Sequence, residues 1–472
     1  MENKAEKNEG FRYLLKNTGL LTISNFSSKL LVFLLVPLYT SVLTTEEYGI
    51  FDMVQTTISL LLPILTINIY DAVMRFCMDE DCDDKKVCGI GIKYVIISIT
   101  CFTVLALINQ QLGLIASLAQ YTKYMIAFYI TNVCNQFFIQ YAKGKEEVKA
   151  IAIAGVANTG ITLLLNILLL LYFKMGIEGF FLAYIFGQFF SCLFLIIKTK
   201  VWDNIDMTGN KELEKEMVAF SAPLILGAIG WWCNNASDKY VIIFMCGLAA
   251  NGVFAVAYKI PSILTTLQQI FVQAWQISAV KGYGKEGSEE FYGKIFKGMN
   301  ISMCAVCIML TIATKPIAHL LYAKDFYAAW QYVPFLLVAG VFNSASGVLG
   351  PVLNANKNSK SLGISSLYGT AANLILNFLL IYLIGPQGAA IATAISSYLI
   401  YQLRKNALNQ QIRFYDYKSD VISWIIIIAT ASCEIYLSNY IIEAILALLF
   451  VAINFKVLKE FMAIISAKIL KK

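Results

Sequence analysis

An all-α integral membrane protein is the fold class that the sequence predicts. Of the 472 residues, 58% are hydrophobic and only 14% are charged, whereas soluble domains carry about 25% charged residues. The mean hydropathy is +0.66, and apolar character extends from about residue 13 to about residue 465 without a long polar block. A soluble catalytic domain on a single anchor is therefore excluded.

Apolar runs of about 20 residues, the length with which an α-helix crosses the hydrocarbon core, mark fourteen predicted spans. Their limits are 13–41, 46–72, 87–108, 118–141, 148–173, 177–198, 217–245, 248–278, 295–320, 329–353, 361–384, 386–408, 419–438 and 440–458. The first span is too long for the core of a signal peptide, so we expect insertion to begin with that helix.

Lysine and arginine are distributed unequally between the two sides of the predicted membrane protein. One side, which holds both termini and every loop after an even-numbered span, contains all but seven of the 37 basic residues. The opposite side holds Lys123, Lys174, Lys315 and Lys324. The positive-inside rule therefore predicts that both termini lie in the cytoplasm. The net charge of +7 reflects this topology rather than a nucleic-acid partner.

Two sequence patterns recur in the two halves of the chain. The pattern G-x-x-G-x-x-x-A begins at Gly176 and again at Gly385, and a weaker G-x-F pattern begins at Gly49 and Gly252. Both repeats place spans 1 to 6 over spans 7 to 12, which predicts two pseudo-symmetric six-helix lobes of the same orientation. The predicted limits are 1–200 for the first lobe, 201–216 for a cytoplasmic linker, 217–410 for the second lobe and 411–472 for two additional helices with a basic tail.

Polar side chains follow one face of the first two spans of each lobe. The stripes are Thr18, Thr22, Asn25 and Lys29 in span 1, Asp52, Gln55, Thr56 and Ser59 in span 2, Trp231, Asn234, Asn235 and Asp238 in span 7, and Lys259, Ser262, Thr266, Gln269, Gln273 and Gln276 in span 8. Because lipid-facing helices have no use for polar groups, these faces predict a hydrated cavity. We expect Asn25, Asn235, Gln269 and Gln273 to contact a substrate there. Hydrogen bonding within a packed bundle is the alternative for the uncharged side chains.

The remaining three basic residues, Lys29, Lys239 and Lys259, are assigned to neither side because they lie well inside predicted spans. A lysine at the bilayer centre costs about 2.5 to 3.5 kcal/mol unless it reaches water or a partner. We therefore expect the three ammonium groups to line the cavity and to bind an anionic, phosphate-bearing substrate; for Lys239 and Lys259 the alternative is extension to the membrane interface. Asp52 and Asp238 either pair with these lysines or carry a coupled proton or sodium ion.

Prolines interrupt the same spans. Pro37 and Pro63 in the first lobe, and Pro223 and Pro261 in the second, each remove a backbone donor and predict kinks that serve as hinges. A fixed kink without motion is the alternative interpretation of each proline.

No catalytic residue, metal ligand or cofactor site is predicted. Most of the 11 cysteines lie in apolar stretches, where cysteine packs as a small hydrophobic side chain. His319, the only histidine, is placed at the outer end of a span, where we expect an interfacial side chain. The sequence thus predicts a transporter rather than an enzyme.

Several stretches of the sequence resemble a known family. They are residues 31–39 (LVFLLVPLY), 46–49 (EEYG), 237–242 (SDKYVI) and 377–388 (NFLLIYLIGPQG). They resemble the Wzx-like flippases of O-antigen and capsule repeat units, which belong to the multidrug/oligosaccharidyl-lipid/polysaccharide (MOP) exporter superfamily together with MATE transporters. The resemblance covers nearly the whole chain.

This resemblance implies a two-lobed flippase for an undecaprenyl-diphosphate-linked oligosaccharide repeat unit. The flippase would move the unit from the cytoplasmic to the outer leaflet by alternating access, for biosynthesis of surface polysaccharide such as lipopolysaccharide O-antigen or capsule. It further implies membrane lipids, a coupled H⁺ or Na⁺, a polysaccharide polymerase and glycosyltransferases as partners. In related lipid II flippases the cavity carries arginines, where this chain has lysines, and two extra helices form a lipid-tail groove, the role suggested for spans 13 and 14.

Two other functions stay open at this point. An ion-coupled multidrug or organic-cation exporter of the same fold would carry carboxylates without excess cations, and the three lysines count against it. A membrane polysaccharide polymerase or ligase would need a substantial outer loop and a catalytic base, whereas the predicted outer loops are short.

Overall fold

The computed structural model describes residues 33–79, 83–208, 210–284, 286–408, 412 and 417–469. Within these ranges the chain forms helices and no β-strand. Ten of the described helices are long and apolar enough to cross a membrane, and a bent pair of helices makes an eleventh. The predicted all-α membrane fold is confirmed.

The described chain up to residue 208 contains eight α-helices. They are α1 (Val36–Val42), α2 (Thr45–Leu65), α3 (Ile69–Phe76), α4 (Asp84–Leu112), α5 (Ala116–Ala119), α6 (Thr122–Gly144), α7 (Val148–Asn166) and α8 (Gly176–Thr199). A π-helix, Ile167–Tyr172, continues α7, and a 3₁₀-helix, Val201–Asn204, follows α8. At the start of α2, the Thr44 hydroxyl accepts from the Glu47 amide while the Glu47 carboxylate accepts from the Thr44 amide, a capping box that fixes where the helix begins.

The remaining described residues form ten further α-helices. They are α9 (Lys211–Cys246), α10 (Leu248–Ala257), α11 (Pro261–Gly282), α12 (Ser288–Ile312), α13 (Thr314–Leu321), α14 (Val333–Ala355), α15 (Ser359–Ile384), α16 (Gln387–Ala407), α17 (Tyr417–Ser432) and α18 (Tyr440–Ile469). A 3₁₀-helix, Lys324–Gln331, lies between α13 and α14, and a π-helix, Cys433–Leu437, continues α17.

The chain divides into two compact units, Met1–Trp232 and Cys233–Lys472. In the first unit α8 packs against α6 and α7, and α6 also packs against α3 and α4. Its core contains an aromatic cluster in which the Phe51 ring lies 4.5 Å from that of Phe180 and 5.2 Å from that of Phe181. In the second unit α16 packs against α14 and α15, while α12 contacts α14, α17 and α18.

The segment between α8 and α9 is attached to α4. The Asp206 amide donates to the Lys85 carbonyl (3.0 Å), and a Cβ added at Gly89 would overlap the Asp206 carbonyl, so only glycine fits there. Hydrogen bonds from the Thr208 hydroxyl and amide lower the pKa of Asp206. Lys93 pairs with Glu214 near the start of α9 (2.8 Å). These contacts hold residues 206–208 and the start of α9 against α4.

The repeated glycine pattern has the same structural task in both units. Gly176 (φ +56°) and Gly385 (φ +68°) both have a positive φ, which glycine adopts without strain, where one helix gives way to the next. Three residues later, a Cβ at Gly179 would lie 2.9 Å from Met175 Cβ, and one at Gly388 would overlap the Leu380 carbonyl. The pattern therefore encodes a close turn between α7 and α8 and between α15 and α16.

Several predicted spans differ in detail from the helices. Span 2 is interrupted after Leu65 by a turn that precedes α3, and span 9 is divided into α12 and α13. Span 8 was predicted as one helix, whereas it is the bent pair α10 and α11, because Pro261 cannot supply the amide that would continue the helix. Spans 4 and 12 correspond to α6 and α16, which are 23 and 21 residues long and are more polar than the ten helices above.

Candidate functional site

The predicted cavity residues fall into three groups. Lys29 and Asn25 lie outside the described residues. Asp52 belongs to the first unit, and the others, Asn235, Asp238, Lys239, Lys259, Gln269 and Gln273, belong to the second unit. Most of the predicted site residues that the structure describes therefore belong to the second unit.

Helix α11 has one packed face and one exposed polar face. On the packed face, the Trp275 indole donates to the Val348 carbonyl (2.8 Å) and the Gln268 amide donates to the Asn343 carbonyl (3.2 Å), which joins α11 to α14. Gln269 and Gln273 lie on a different face and are exposed. At 100° per residue these two side chains lie one above the other, so together they form a continuous polar surface on α11.

Lys259 lies in the bend between α10 and α11. The two helices meet at 49°, and Pro261 is the first residue of α11. The Lys259 carbonyl accepts from the Ser262 hydroxyl (2.6 Å), which compensates a backbone acceptor that the bend removes from the helical ladder. The Lys259 side chain is half-buried, so the bend holds an ammonium group at the start of the polar face of α11.

Asp238 on α9 is buried, with 4% of its surface exposed. Its carboxylate accepts from the Tyr258 hydroxyl at 2.6 Å and from the Lys239 amide at 2.9 Å. The bond with Tyr258 joins α9 to the bend that carries Lys259. Sequence reasoning missed Tyr258, although its place directly before Lys259 was a signal.

A polar seam, formed by Asn373, Asn377, Thr393 and Ser396, joins α15 to α16. The Asn377 amide donates to the Asn373 side-chain oxygen (2.9 Å), and the Asn373 amide donates to Ser396 (3.3 Å) and Thr393 (3.4 Å). The Ser237 hydroxyl of α9 also donates to Asn373 (3.5 Å). These side chains bond one another, and the Asn377 side-chain oxygen is the atom of the seam that has no partner among the described residues. For this seam, hydrogen bonding within the bundle is the explanation that fits.

Asn234 and Asn235 are neighbours on α9 with different surroundings. Asn234 accepts a hydrogen bond from the Thr370 hydroxyl of α15 (3.4 Å), whereas Asn235 is exposed. Asn235 is thus the more exposed of the two residues, and its contact with a substrate stays a prediction.

In the first unit, Asp52 on α2 is buried, with 8% of its surface exposed. One turn later the Thr56 carbonyl accepts from the Trp232 indole of α9 (2.9 Å). The polar stripe of α2 thus lies beside the part of α9 that belongs to the same unit.

The predicted hinge prolines occupy different positions in their helices. Pro37 lies in the first turn of α1, Pro63 is buried near the end of α2, and Pro223 is exposed inside α9, which continues through it. Pro261 is the one that the described structure places at a bend of more than 40°. The hinge roles remain predictions.

An apolar cavity of about 390 Å³ lies among α14, α16 and α17 in the second unit. It is lined by Phe335, Val338, Phe342, Ile391, Ala394, Ile395, Tyr398, Val421, Trp424, Ile425 and Ile428. The Trp424 indole turns its N–H away to Asn300 (3.2 Å). The lining suits a hydrocarbon chain rather than a sugar or a phosphate. Among the described residues, no group of three or more His, Cys, Asp or Glu side chains is arranged to hold a metal ion.

The arrangement of helices is that of the MOP superfamily. The lipid II flippase MurJ in an inward closed conformation matches with a TM-score of 0.71 and 14% identity, over 96% of this chain and 99% of that chain. An inward-facing multidrug resistance MATE family transporter matches with a TM-score of 0.66 and 16% identity, over 83% and 99%. A MOP superfamily transporter from Pyrococcus furiosus matches with a TM-score of 0.55 and 14% identity, over 88% and 93%.

Sequence comparison identifies the family. The family model described as polysaccharide biosynthesis protein matches residues 14–276, more than half of the 472 residues. The chain belongs to this family of multi-pass membrane proteins, and the predicted membership of the MOP superfamily is confirmed. A comparison with curated protein sequences finds no match.

Proposed function

We propose that this protein is a flippase that moves an undecaprenyl-diphosphate-linked oligosaccharide repeat unit from the cytoplasmic to the outer leaflet by alternating access. Its family membership supports a role in polysaccharide biosynthesis, and its fold supports transport. Surface polysaccharide, O-antigen or capsule, is the product of the proposed pathway, with a polymerase and glycosyltransferases acting beside the flippase in the cytoplasmic membrane.

The observation that carries the proposal is the order of polar groups along one bent pair of helices: Lys259 lies in the bend, and the exposed side chains of Gln269 and Gln273 follow it on α11. A diphosphate requires cations, and sugar hydroxyls require side chains that both donate and accept hydrogen bonds. The Lys259 ammonium in the bend is a cation, and the Gln269 and Gln273 side chains on α11 can both donate and accept hydrogen bonds. We propose that Lys239, Asn235, Lys29 and Asn25 complete the binding of the headgroup.

The apolar cavity among α14, α16 and α17 supports a substrate that carries a lipid tail. The tail would enter this cavity from the surrounding lipid, and an apolar lining accepts it without the cost of burying a polar group. We propose that this cavity takes the part of the tail nearest to the headgroup, with α17 as one wall.

Alternating access requires an element that changes direction, and the α10–α11 bend supports this step. Pro261 removes the hydrogen bond that would stiffen the junction, so we propose that the bend acts as a hinge. Asp238 is bonded to Tyr258 at the same junction. We propose that binding of a coupled H⁺ or Na⁺ to Asp238 affects the α10–α11 hinge, and that Asp52 is the corresponding ion-binding candidate in the first unit.

Replacement of lysines in reconstituted protein tests the proposal. Flipping of a fluorescent undecaprenyl-diphosphate-linked oligosaccharide in proteoliposomes should fall to background in Lys29→Ala and Lys259→Ala, because an ammonium that binds the diphosphate is lost. Lys324→Ala, a lysine that the predicted topology places in an outer loop, is the matched control and should flip normally. Unchanged flipping by Lys29→Ala and Lys259→Ala at equal protein content would refute the proposed binding site.

The two alternatives predict different substrates in the same assay. An organic-cation exporter would accumulate dye cations and would gain rather than lose activity when lysines are removed. A polymerase or ligase would elongate the oligosaccharide, which mass spectrometry of the recovered lipid would detect. Labelling of single cysteines from either side of the membrane tests the proposed cytoplasmic location of both termini.

A further inference from the structure

The turn between α17 and α18 brings two glutamates together. Glu434 lies in the π-helix that follows α17, and Glu443 lies in the first turn of α18. Both are fully buried, at 0% exposure, and their carboxyl groups are within hydrogen-bonding reach of each other. Neither residue belongs to the predicted cavity or to the polar seam.

The four carboxyl oxygens of this pair have no hydrogen-bond donor among the described residues. An ionised carboxylate only accepts hydrogen bonds, so two ionised carboxylates in contact repel each other without any compensating bond. A single proton changes this situation, because a protonated carboxyl donates to its neighbour. The geometry therefore requires a positively charged ligand between or beside the two groups.

Lys315 of α13 supplies one positive charge and no more. Its ammonium lies 3.8 Å from Glu434 Oε1, an ion pair that is too long for a hydrogen bond. It donates to the Glu434 backbone carbonyl (3.2 Å) and to the Ser438 hydroxyl (2.6 Å), and it lies 4.4 Å from the centre of the Trp330 ring. One lysine against two carboxylates leaves a net charge of one negative in a buried site.

The other titratable groups around the pair do not balance that charge. The Cys433 thiol donates to the Asn439 carbonyl (3.8 Å) and lies beside Glu443. Tyr440 and Tyr327 approach from α18 and from the 3₁₀-helix, and the His319 ring is 6.1 Å from that of Tyr327. The oxygens that would coordinate a metal cation, the Glu434 carbonyl and the Ser438 hydroxyl, already bind Lys315.

We propose that Glu434 and Glu443 form a proton-binding site in which one carboxyl is protonated and the other is ionised and paired with Lys315. The proton makes the buried cluster neutral and holds the α17–α18 turn against α13. Loss of the proton leaves a buried negative charge without a partner, which loosens the turn from α13. The predicted topology puts this turn near the outer surface, so the proton exchanges with the outside.

Infrared difference spectroscopy of the full-length protein in lipid nanodiscs tests this site without reference to transport. Between neutral and alkaline pH, the wild type should lose a carbonyl-stretch band of a protonated carboxyl group, shifted in D₂O. Glu434→Gln and Glu443→Gln should each lack the band, since the pair then holds a single carboxylate paired with Lys315. Glu460→Gln, an exposed glutamate on α18, is the matched control and should keep it.

Three outcomes would overturn the proposal. They are a wild type without the band, a band that persists in both Glu434→Gln and Glu443→Gln, and a band that disappears equally in Glu460→Gln. A melting temperature that rises with NaCl but not with choline chloride in the wild type alone, without the band, would assign a metal cation to the pair instead. Because Gln has the shape of a protonated Glu, Glu443→Gln should fold as the wild type does, and its melting temperature verifies this directly.

Discussion

Two polar regions of the second unit look alike in sequence but have opposite surroundings. The polar seam of Asn373, Asn377, Thr393 and Ser396 is buried and forms its own hydrogen bonds, whereas Gln269 and Gln273 on α11 are exposed. Amides at helical spacing thus mark either a lock between helices or a surface for a ligand. What separates the two is whether a neighbouring helix supplies the partners, which the sequence of one helix does not show.

The same contrast extends to charged groups. Lys297 of α12 is buried at 7% exposure and pairs with Asp420 of α17 (3.1 Å), which also accepts from the Asn300 amide (2.9 Å). Lys259 lies instead at a bend beside an exposed polar face. We expect the paired groups to determine stability and the exposed ones to determine transport, and four predictions test this division.

The largest effect on stability is expected for Asp420→Ala. The substitution leaves the Lys297 ammonium buried without its carboxylate, at a cost of about 3 to 5 kcal/mol. Thermal unfolding followed by tryptophan fluorescence in detergent should show a clearly lower midpoint. The double variant Lys297→Met/Asp420→Leu should recover most of the loss. An unchanged midpoint in Asp420→Ala would show that the pair is not a structural element.

A smaller loss is expected for Arg404→Ala. The half-buried Arg404 guanidinium donates to the Ser365 hydroxyl (3.1 Å), the Ser346 carbonyl (3.0 Å) and the Ser366 hydroxyl (3.2 Å), which joins α14, α15 and α16. Removing these bonds should cost about 1.5 to 3 kcal/mol, measured by the same unfolding assay. Lys360→Ala, an exposed cation on α15, should leave the midpoint in place.

Within the polar seam, Asn373→Ala should reduce stability by about 1 kcal/mol, because hydrogen bonds between membrane helices contribute about 0.6 kcal/mol each on average. Flipping should decrease only in proportion to the folded protein that remains. If Asn373→Ala lost flipping activity while its stability was unchanged, Asn373 would be a substrate-binding residue rather than a structural one.

The smallest effect on stability is expected for Gln269→Ala and Gln273→Ala, within about 0.5 kcal/mol, since both are exposed surface positions. Each should nevertheless weaken the apparent affinity for the lipid-linked sugar about tenfold, the equivalent of about 1.4 kcal/mol. A substrate titration of the flipping rate measures this. Equal affinity in both variants would contradict a substrate contact on this face of α11.

The sequence predicted the membrane fold and the two halves well because both depend on local pattern. Apolar length identifies spans, and Gly176 and Gly385 mark the same tight turn in each half. Helix limits were less accurate where polar or proline residues intervene, as in α10–α11. The sequence could not show that Tyr258 binds Asp238, nor that Glu434 faces Glu443, because these pairs depend on packing between residues 20 and nine positions apart on differently directed helices.

Trp424 joins two features that would otherwise be independent. One edge of its indole forms part of the wall of the apolar cavity, and its N–H donates to Asn300, a partner of Asp420. Indole fluorescence depends on the polarity around the ring. A hydrocarbon chain that enters the cavity should therefore shift the emission maximum of Trp424. With the other five of the six tryptophans replaced by phenylalanine, the fluorescence of Trp424 becomes an intrinsic reporter of whether the cavity is occupied.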